Sequence, residues 1–225
     1  MTDSPPISLV CLDLAGIVID GSIVERAFAE AIATQGIVAG TQDYARSMVR
    51  FDRSHGQPPA DVLRDLFDGD EPRAQAASLA FDRSFRATAQ RFSVDIPADV
   101  GDAIGKTAGS GAKICLLTML SRRSCGDLLG LLRTADLVLC ADDMPRGFPW
   151  PDPVLTAMLR LGTADVREVA VISATADGVL SGYRAGARIV AGLGAGRRAR
   201  ALREAGATVV LDNVAGLPDL IAESC

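Results

Sequence analysis

Lysine is nearly missing from this chain of 225 residues; it occurs only at Lys106 and Lys113. Histidine occurs once, at His55, and aromatic residues make up 4% of the sequence. The scarcity of lysine matters chemically, because imine formation needs an amine that can lose its proton, and arginine does not supply one. There is no excess of basic charge. The formal net charge is −5, which disfavours a nucleic-acid partner on electrostatic grounds. No apolar run reaches the ~18 to 20 residues that span a bilayer. The opening "MTDSPPISLV" lacks both a basic region and an apolar h-region, so neither a signal peptide nor a membrane anchor is expected, and a cytoplasmic location is. The cysteines at 11, 115, 125, 140 and 225 form no CxxC pair. Buried reduced thiols are the expectation for them.

What the chain does have is an ordinary globular balance, with 48% hydrophobic and 23% charged residues. Short apolar runs recur: "ISLVCLDL", "KICLLT", "LVLC", "EVAVIS", "ARIVAG" and "TVVLD". From residue 113 onward each is followed by a helical pattern. Near-continuous apolar strands alternating with helices predict a parallel α/β sheet covered on both faces. In such sheets sites form at the carboxyl ends of strands, where Asp13 and Thr118 fall. Residues 22–98 break the alternation with helical patterns alone, such as "IVERAFAEAIATQGI" closed by Gly36, and predict an inserted helical unit.

Four segments carry a resemblance. "LVCLDLAGIVIDG" places Asp13 at a strand end before Gly16, "ICLLTMLSRR" does the same for Thr118, "RGFPWPDP" brackets Phe148 with glycine and prolines, and "VISATADGVLSGYRAGARIV" follows the next strand. Over nearly its whole length the chain resembles the haloacid dehalogenase (HAD) superfamily, and within it the phosphonoacetaldehyde-hydrolase-like branch. The resemblance implies a Rossmann-like parallel sheet core with helices on both faces, formed by 1–21 and 99–225, and an all-helical cap domain, 22–98. It implies that Asp13 is the nucleophile that takes a phosphoryl group, that Thr118 hydrogen-bonds that group, and that Gly16 makes the turn after the nucleophile. Arg122, Phe148 and His55 fall where the resemblance places substrate contacts, and Arg146, two residues before Phe148, is the candidate to replace the basic residue there.

The sequence departs from the family pattern where charge is needed. The family's second motif I acid is Ala15, as it is in this branch. The basic residue of the third motif is Phe148, and the two acids that hold magnesium are Ala174 and Gly178, with Asp177 one residue out of register. The cap segment "RSMVRFDRSHGQPPADVLRDLF" contains no lysine, so the branch's Schiff base is absent. Bringing a phosphoester to a bare carboxylate sets two anions against each other, at roughly 1 kcal/mol per charge pair in water at ~4 Å and ~4 kcal/mol at an effective dielectric of 20. Magnesium and a basic side chain normally offset this.

The expectation is therefore a HAD-like protein without a metal site or cofactor. It would serve as a subunit of a heteromeric complex or as a metal-independent, Asp13-centred enzyme of the elimination or cyclisation kind in secondary metabolism. Two alternatives stay open. One is a phosphohydrolase forming an aspartyl-phosphate on Asp13, with magnesium as cofactor and with Asp177 and Arg146 as displaced replacements. The other is a non-catalytic scaffold. A small-molecule ligand and a protein partner, or a homodimer through the cap, are the partners considered.

"IVAGLGAGRRARALREAG" sets Gly192, Gly194 and Gly196 between a strand and a helix, but without the spacing of a dinucleotide fingerprint. Arg197, Arg198 and Arg200 are expected to form a solvated helix face, with anion binding as the sharper option.

Overall fold

A computed structural model of the chain describes residues 5–54, 56–92, 94–126, 128–132 and 134–224. His55 and Cys225 lie outside the described residues. The chain begins with β1 (Leu9–Asp13) and leaves the sheet for four helices: α1 (Gly21–Ala33), α2 (Gln42–Arg53), α3 (Pro59–Leu66) and α4 (Glu71–Arg91). It returns through α5 (Ala98–Gly109) to β2 (Lys113–Leu117), two short helices α6 (Arg122–Cys125) and α7 (Leu128–Leu131), and β3 (Leu137–Leu139). Then follow α8 (Asp152–Leu161), β4 (Val169–Ser173), α9 (Ala176–Ala185), β5 (Ile189–Leu193), α10 (Gly196–Glu204), β6 (Val209–Leu211) and α11 (Leu217–Ala222).

The six strands form one parallel sheet in the order β3-β2-β1-β4-β5-β6. Every residue of β1, β4 and β5 is buried, which is why these strands run apolar up to their ends instead of alternating. The chain winds outward from β1 through β2 to β3, then crosses back to β4 and winds outward the other way. The reversal lies between β1 and β4. A crevice opens at the carboxyl ends of strands at such a reversal, and Asp13 and Ser173 are the last residues of the two strands that flank it.

The helical insertion is built on small and aromatic residues. In α1, Ile23, Ala27, Phe28, Ala31 and Ile32 repeat at helical spacing and are buried. They face Ala74, Ala77, Phe81 and Phe85 of α4, whose alanines let the two helices approach closely. Phe28 stacks on Phe51 of α2 with ring centroids 4.3 Å apart. Asp20 caps α1 through the backbone N–H of Ser22. Helix α1 ends at Ala33, and Gly36 sits beyond its cap at φ +83°, so the glycine shapes the exit turn and does not itself close the helix. The insertion is tied back to the sheet side by Asp82 of α4, which accepts from the hydroxyls of Ser121 (2.7 Å) and Ser124 (2.5 Å).

The described cysteines are free and buried, as expected from the sequence. Among the described residues no helix is long and apolar enough to cross a membrane.

Candidate functional site

The backbone turns sharply after β1. The N–H of Leu14 donates to Leu117 O on β2, and the N–H groups of Ile17, Val18 and Ile19 turn back to Leu14 O. Gly16 adopts φ +72°, a conformation an L side chain adopts only with strain, and a Cβ there would sit 3.2 Å from Cβ of Ala174.

This turn holds the Asp13 carboxylate in a fixed set of bonds. Oδ1 accepts from the Ala15 N–H at 3.0 Å. Oδ2 accepts from the hydroxyls of Ser173 at 2.7 Å and Thr175 at 3.2 Å. Asp13 is 1% exposed. Burial disfavours its charge more than these three donors restore it, and its pKa is pushed up from 3.8 to about 6. One lone pair of Oδ1 has no protein donor, which leaves a single direction open for a proton or a ligand.

Thr118 follows β2, buried, with its N–H donating to Leu139 O and its Oγ1 accepting from the Leu120 N–H at 3.2 Å. Asp13, Gly16, Thr118 and Phe148 all line one cleft of about 880 Å³ between the helical insertion and the sheet ends. Much of its wall is apolar, with Val24, Met48 and Phe51 on the insertion side and Met119, Phe148 and Leu202 on the sheet side, alongside the polar Ser54, Gln57, Thr118 and Thr175. The backbone N–H of Phe148 donates to Met119 Sδ at 3.3 Å, which ties the Met119 side chain to the segment that carries Phe148. Among the described residues, the charged ones lining it are Asp13, Glu25, Asp52 and Arg198.

Two expected contacts are held elsewhere. Arg146 forms a two-pronged pair with Asp152, at 3.0 Å from Nε and 2.9 Å from Nη2, and lies 4.4 Å over the Trp150 ring. Arg122 pairs with Asp143 at 2.5 Å, while its backbone N–H donates to Asp142. Neither lines the cleft. In both cases a carboxylate brought close by the fold, six residues away for Arg146 and 21 for Arg122, takes the guanidinium in charge-assisted hydrogen bonds. Trp150 is half-exposed between Arg146 and Arg184.

The residues present do not fit magnesium. That ion takes about six oxygens in octahedral geometry, and here Asp13 has one uncommitted lone pair. Positions 174 and 178 carry no side-chain oxygen. Position 178 has no room for one: a Cβ on Gly178 would lie 2.3 Å from Ser173 Oγ and 2.9 Å from Thr175 Oγ1. Asp177 stands in the first turn of α9 against the Cα of Gly56 and does not line the cleft. Among the described residues no three histidine, cysteine, aspartate or glutamate side chains converge as a metal site would require.

Two functional features were not read from the sequence. Ser173 is the closest donor to Asp13. The signal for it was available, since adjacent strands that end together put their last side chains side by side. The apolar cap wall of Val24, Met48 and Phe51 carried no such signal.

No family model matches the chain. Phosphonoacetaldehyde hydrolase from Pseudomonas aeruginosa (strain UCBPP-PA14) is 30% identical to it over 201 residues, covering 80% of this chain and 70% of that protein. The chain belongs to the haloacid dehalogenase superfamily, in its phosphonoacetaldehyde-hydrolase-like branch. The enzyme of the same name from Pseudomonas fluorescens (strain SBW25) is 29% identical over 205 residues, with 81% and 71% covered. Among solved structures, a phosphonoacetaldehyde hydrolase-like protein from Oleispira antarctica matches this HAD fold with TM-score 0.81 at 20% identity, over 98% of this chain and 93% of that one. A hydrolase from Pseudomonas syringae matches with TM-score 0.77 at 21% identity, over 96% and 98%.

Proposed function

We propose that this HAD-fold chain acts without a metal on a small, largely apolar organic molecule in the cleft over Asp13, and that the Asp13 carboxyl is its acid–base group. The observation that carries this is the environment of Asp13, a carboxylate on an apolar cleft floor with its pKa raised to about 6 and one lone pair of Oδ1 unused. A base of that strength is ionised at neutral pH and is partly stripped of water, which suits it to take a proton from carbon.

The activity in the relatives' name has no route here through an imine. Lys113 opens β2 beside Leu9, at the opposite end of the sheet from Asp13, which pairs with Leu117. Four residues at ~3.3 Å each put roughly 13 Å between them. Its Nζ is taken by Leu161 O at 2.7 Å. Lys106 sits in the last turn of α5.

The test uses 5-nitrobenzisoxazole, a neutral carbon acid, in buffer containing EDTA. Asp13 takes the C3 proton, the C–H electron pair forms the nitrile as the N–O bond breaks, and the coloured phenolate leaves. The expected result is turnover that rises with an inflection near pH 6 and is lost in Asp13→Asn. Magnesium-dependent phosphate release from 4-nitrophenyl phosphate, lost in the same variant, would overturn the reading in favour of an aspartyl-phosphate hydrolase.

A further inference from the structure

Three arginines follow β5 at 197, 198 and 200, and the fold treats them differently. Arg200 pairs with Glu204 at 2.9 Å on the outer face of α10. Arg198 lines the cleft together with Ala201 and Leu202, the positions three and four residues on, so one face of α10 looks into it. Among the described residues Arg198 has no ion-pair partner, and it is the single basic residue lining the cleft.

Gly194 directs that side chain. A Cβ at 194 would stand 2.6 Å from Cδ and 2.8 Å from Cγ of Arg198, so the aliphatic part of the arginine lies across the bare glycine at the end of β5. This contact gives a reason for the glycine at 194 that owes nothing to nucleotide binding. Strand β5 is two places from β1 in the sheet. At ~4.8 Å per strand the two strand ends stand roughly 10 Å apart. The end of β4 lies between them, and Ala174, Thr175 and Ala176 after it line the cleft.

We infer that Arg198 recognises a carboxylate on the ligand, and that the ligand of this cleft is a medium-length apolar or aromatic carboxylic acid with its acid group at the α10 rim and its body over Asp13. The inference rests on the reading of the cleft as an apolar small-molecule site. It adds the ligand's charge, the place of that charge and the residue that selects it. A guanidinium meets a carboxylate with paired, charge-assisted hydrogen bonds.

The experiment measures binding of 4-phenylbutyrate and of its neutral amide, 4-phenylbutanamide, by calorimetry at pH 7.5 and low salt. The acid is expected to bind roughly tenfold more tightly than the amide, the size of one hydrogen-bonded charge. Arg198→Gln is expected to bring the affinity for the acid down to that for the amide. Gly194→Ala displaces the arginine without removing its charge. It is expected to give the same loss, with no further loss when combined with Arg198→Gln. Equal binding of acid and amide by the wild-type protein, or an advantage that survives Arg198→Gln, overturns the inference and leaves the apolar cleft standing. An advantage that survives Gly194→Ala overturns the steering role. Failure of both probes to bind overturns the cleft reading and this inference together.

Discussion

The Ser173 hydroxyl donates to Asp13 Oδ2 at 2.7 Å, joining the last residue of β4 to the last residue of β1 across the point where the sheet reverses its winding. The same hydroxyl accepts from the Thr175 N–H at 3.0 Å. Its one proton is thus committed to the carboxylate, and the β4–α9 turn is held by the same atom.

Asp13 opposes folding at neutral pH. Its pKa is about 6 in the folded chain against an ordinary 3.8, so between these values the folded state holds more protons than the unfolded one. Stability therefore falls as pH rises from about 4 to about 6, by up to roughly 3 kcal/mol for a shift of that size, and stays reduced above it. Asp13→Asn is expected to abolish this dependence and to raise stability at pH 7.5 by about 1 to 3 kcal/mol. Ser173 can then accept from the amide and turn its own proton toward Thr175 O, 3.3 Å away. Urea unfolding of both proteins at pH 4, 5, 6 and 7.5 checks it.

Ser173→Ala removes the shortest donor to a buried carboxylate. The charged form loses support, so the pKa of Asp13 rises further, and the inflection for 5-nitrobenzisoxazole turnover moves to higher pH. Above that inflection the loss of the bond costs about 1 to 3 kcal/mol of stability. A pH–rate profile beside thermal unfolding reads both effects.

The strand ends were legible in the sequence, and the reasons are local. An unbroken apolar run before Asp13 and a glycine after it dictate a buried strand and a turn, and both are present. The partners of the arginines were not legible. Arg146 and Arg122 fall at the right places in the chain, yet Asp152 and Asp143 claim them, and only the path of the loops decides that competition. Arg198 was one of three similar residues until the orientation of α10 separated them. His55, named as a substrate contact, lies outside the described residues.

Restoring the family acid at position 178 should damage the fold without creating a metal site. The new Cβ would collide with Ser173 and Thr175, the two side chains that hold Asp13. Gly178→Asp is expected to lose about 1 to 3 kcal/mol or more through overpacking. Its melting temperature should be the same with and without millimolar magnesium chloride, as scanning calorimetry would show.

Phe148 occupies the place of the family's basic residue and is 2% exposed, packed with Met119, Leu139 and Val154. Phe148→Ala is expected to cost about 3 to 5 kcal/mol. It should also weaken binding of 4-phenylbutanamide, because the ring forms part of the cleft floor. Denaturant unfolding and calorimetric titration of the same variant test the two consequences separately.

The most direct measurement is a titration of magnesium chloride with beryllium fluoride, a mimic of a phosphoryl group, into the wild-type protein and Asp13→Asn. The account predicts no saturable heat at millimolar magnesium and identical traces for the two proteins, because one carboxylate with a single free lone pair gathers neither the ion nor the anion. Saturable magnesium-dependent binding of the fluoride complex, present in the wild type and lost in Asp13→Asn, would contradict it.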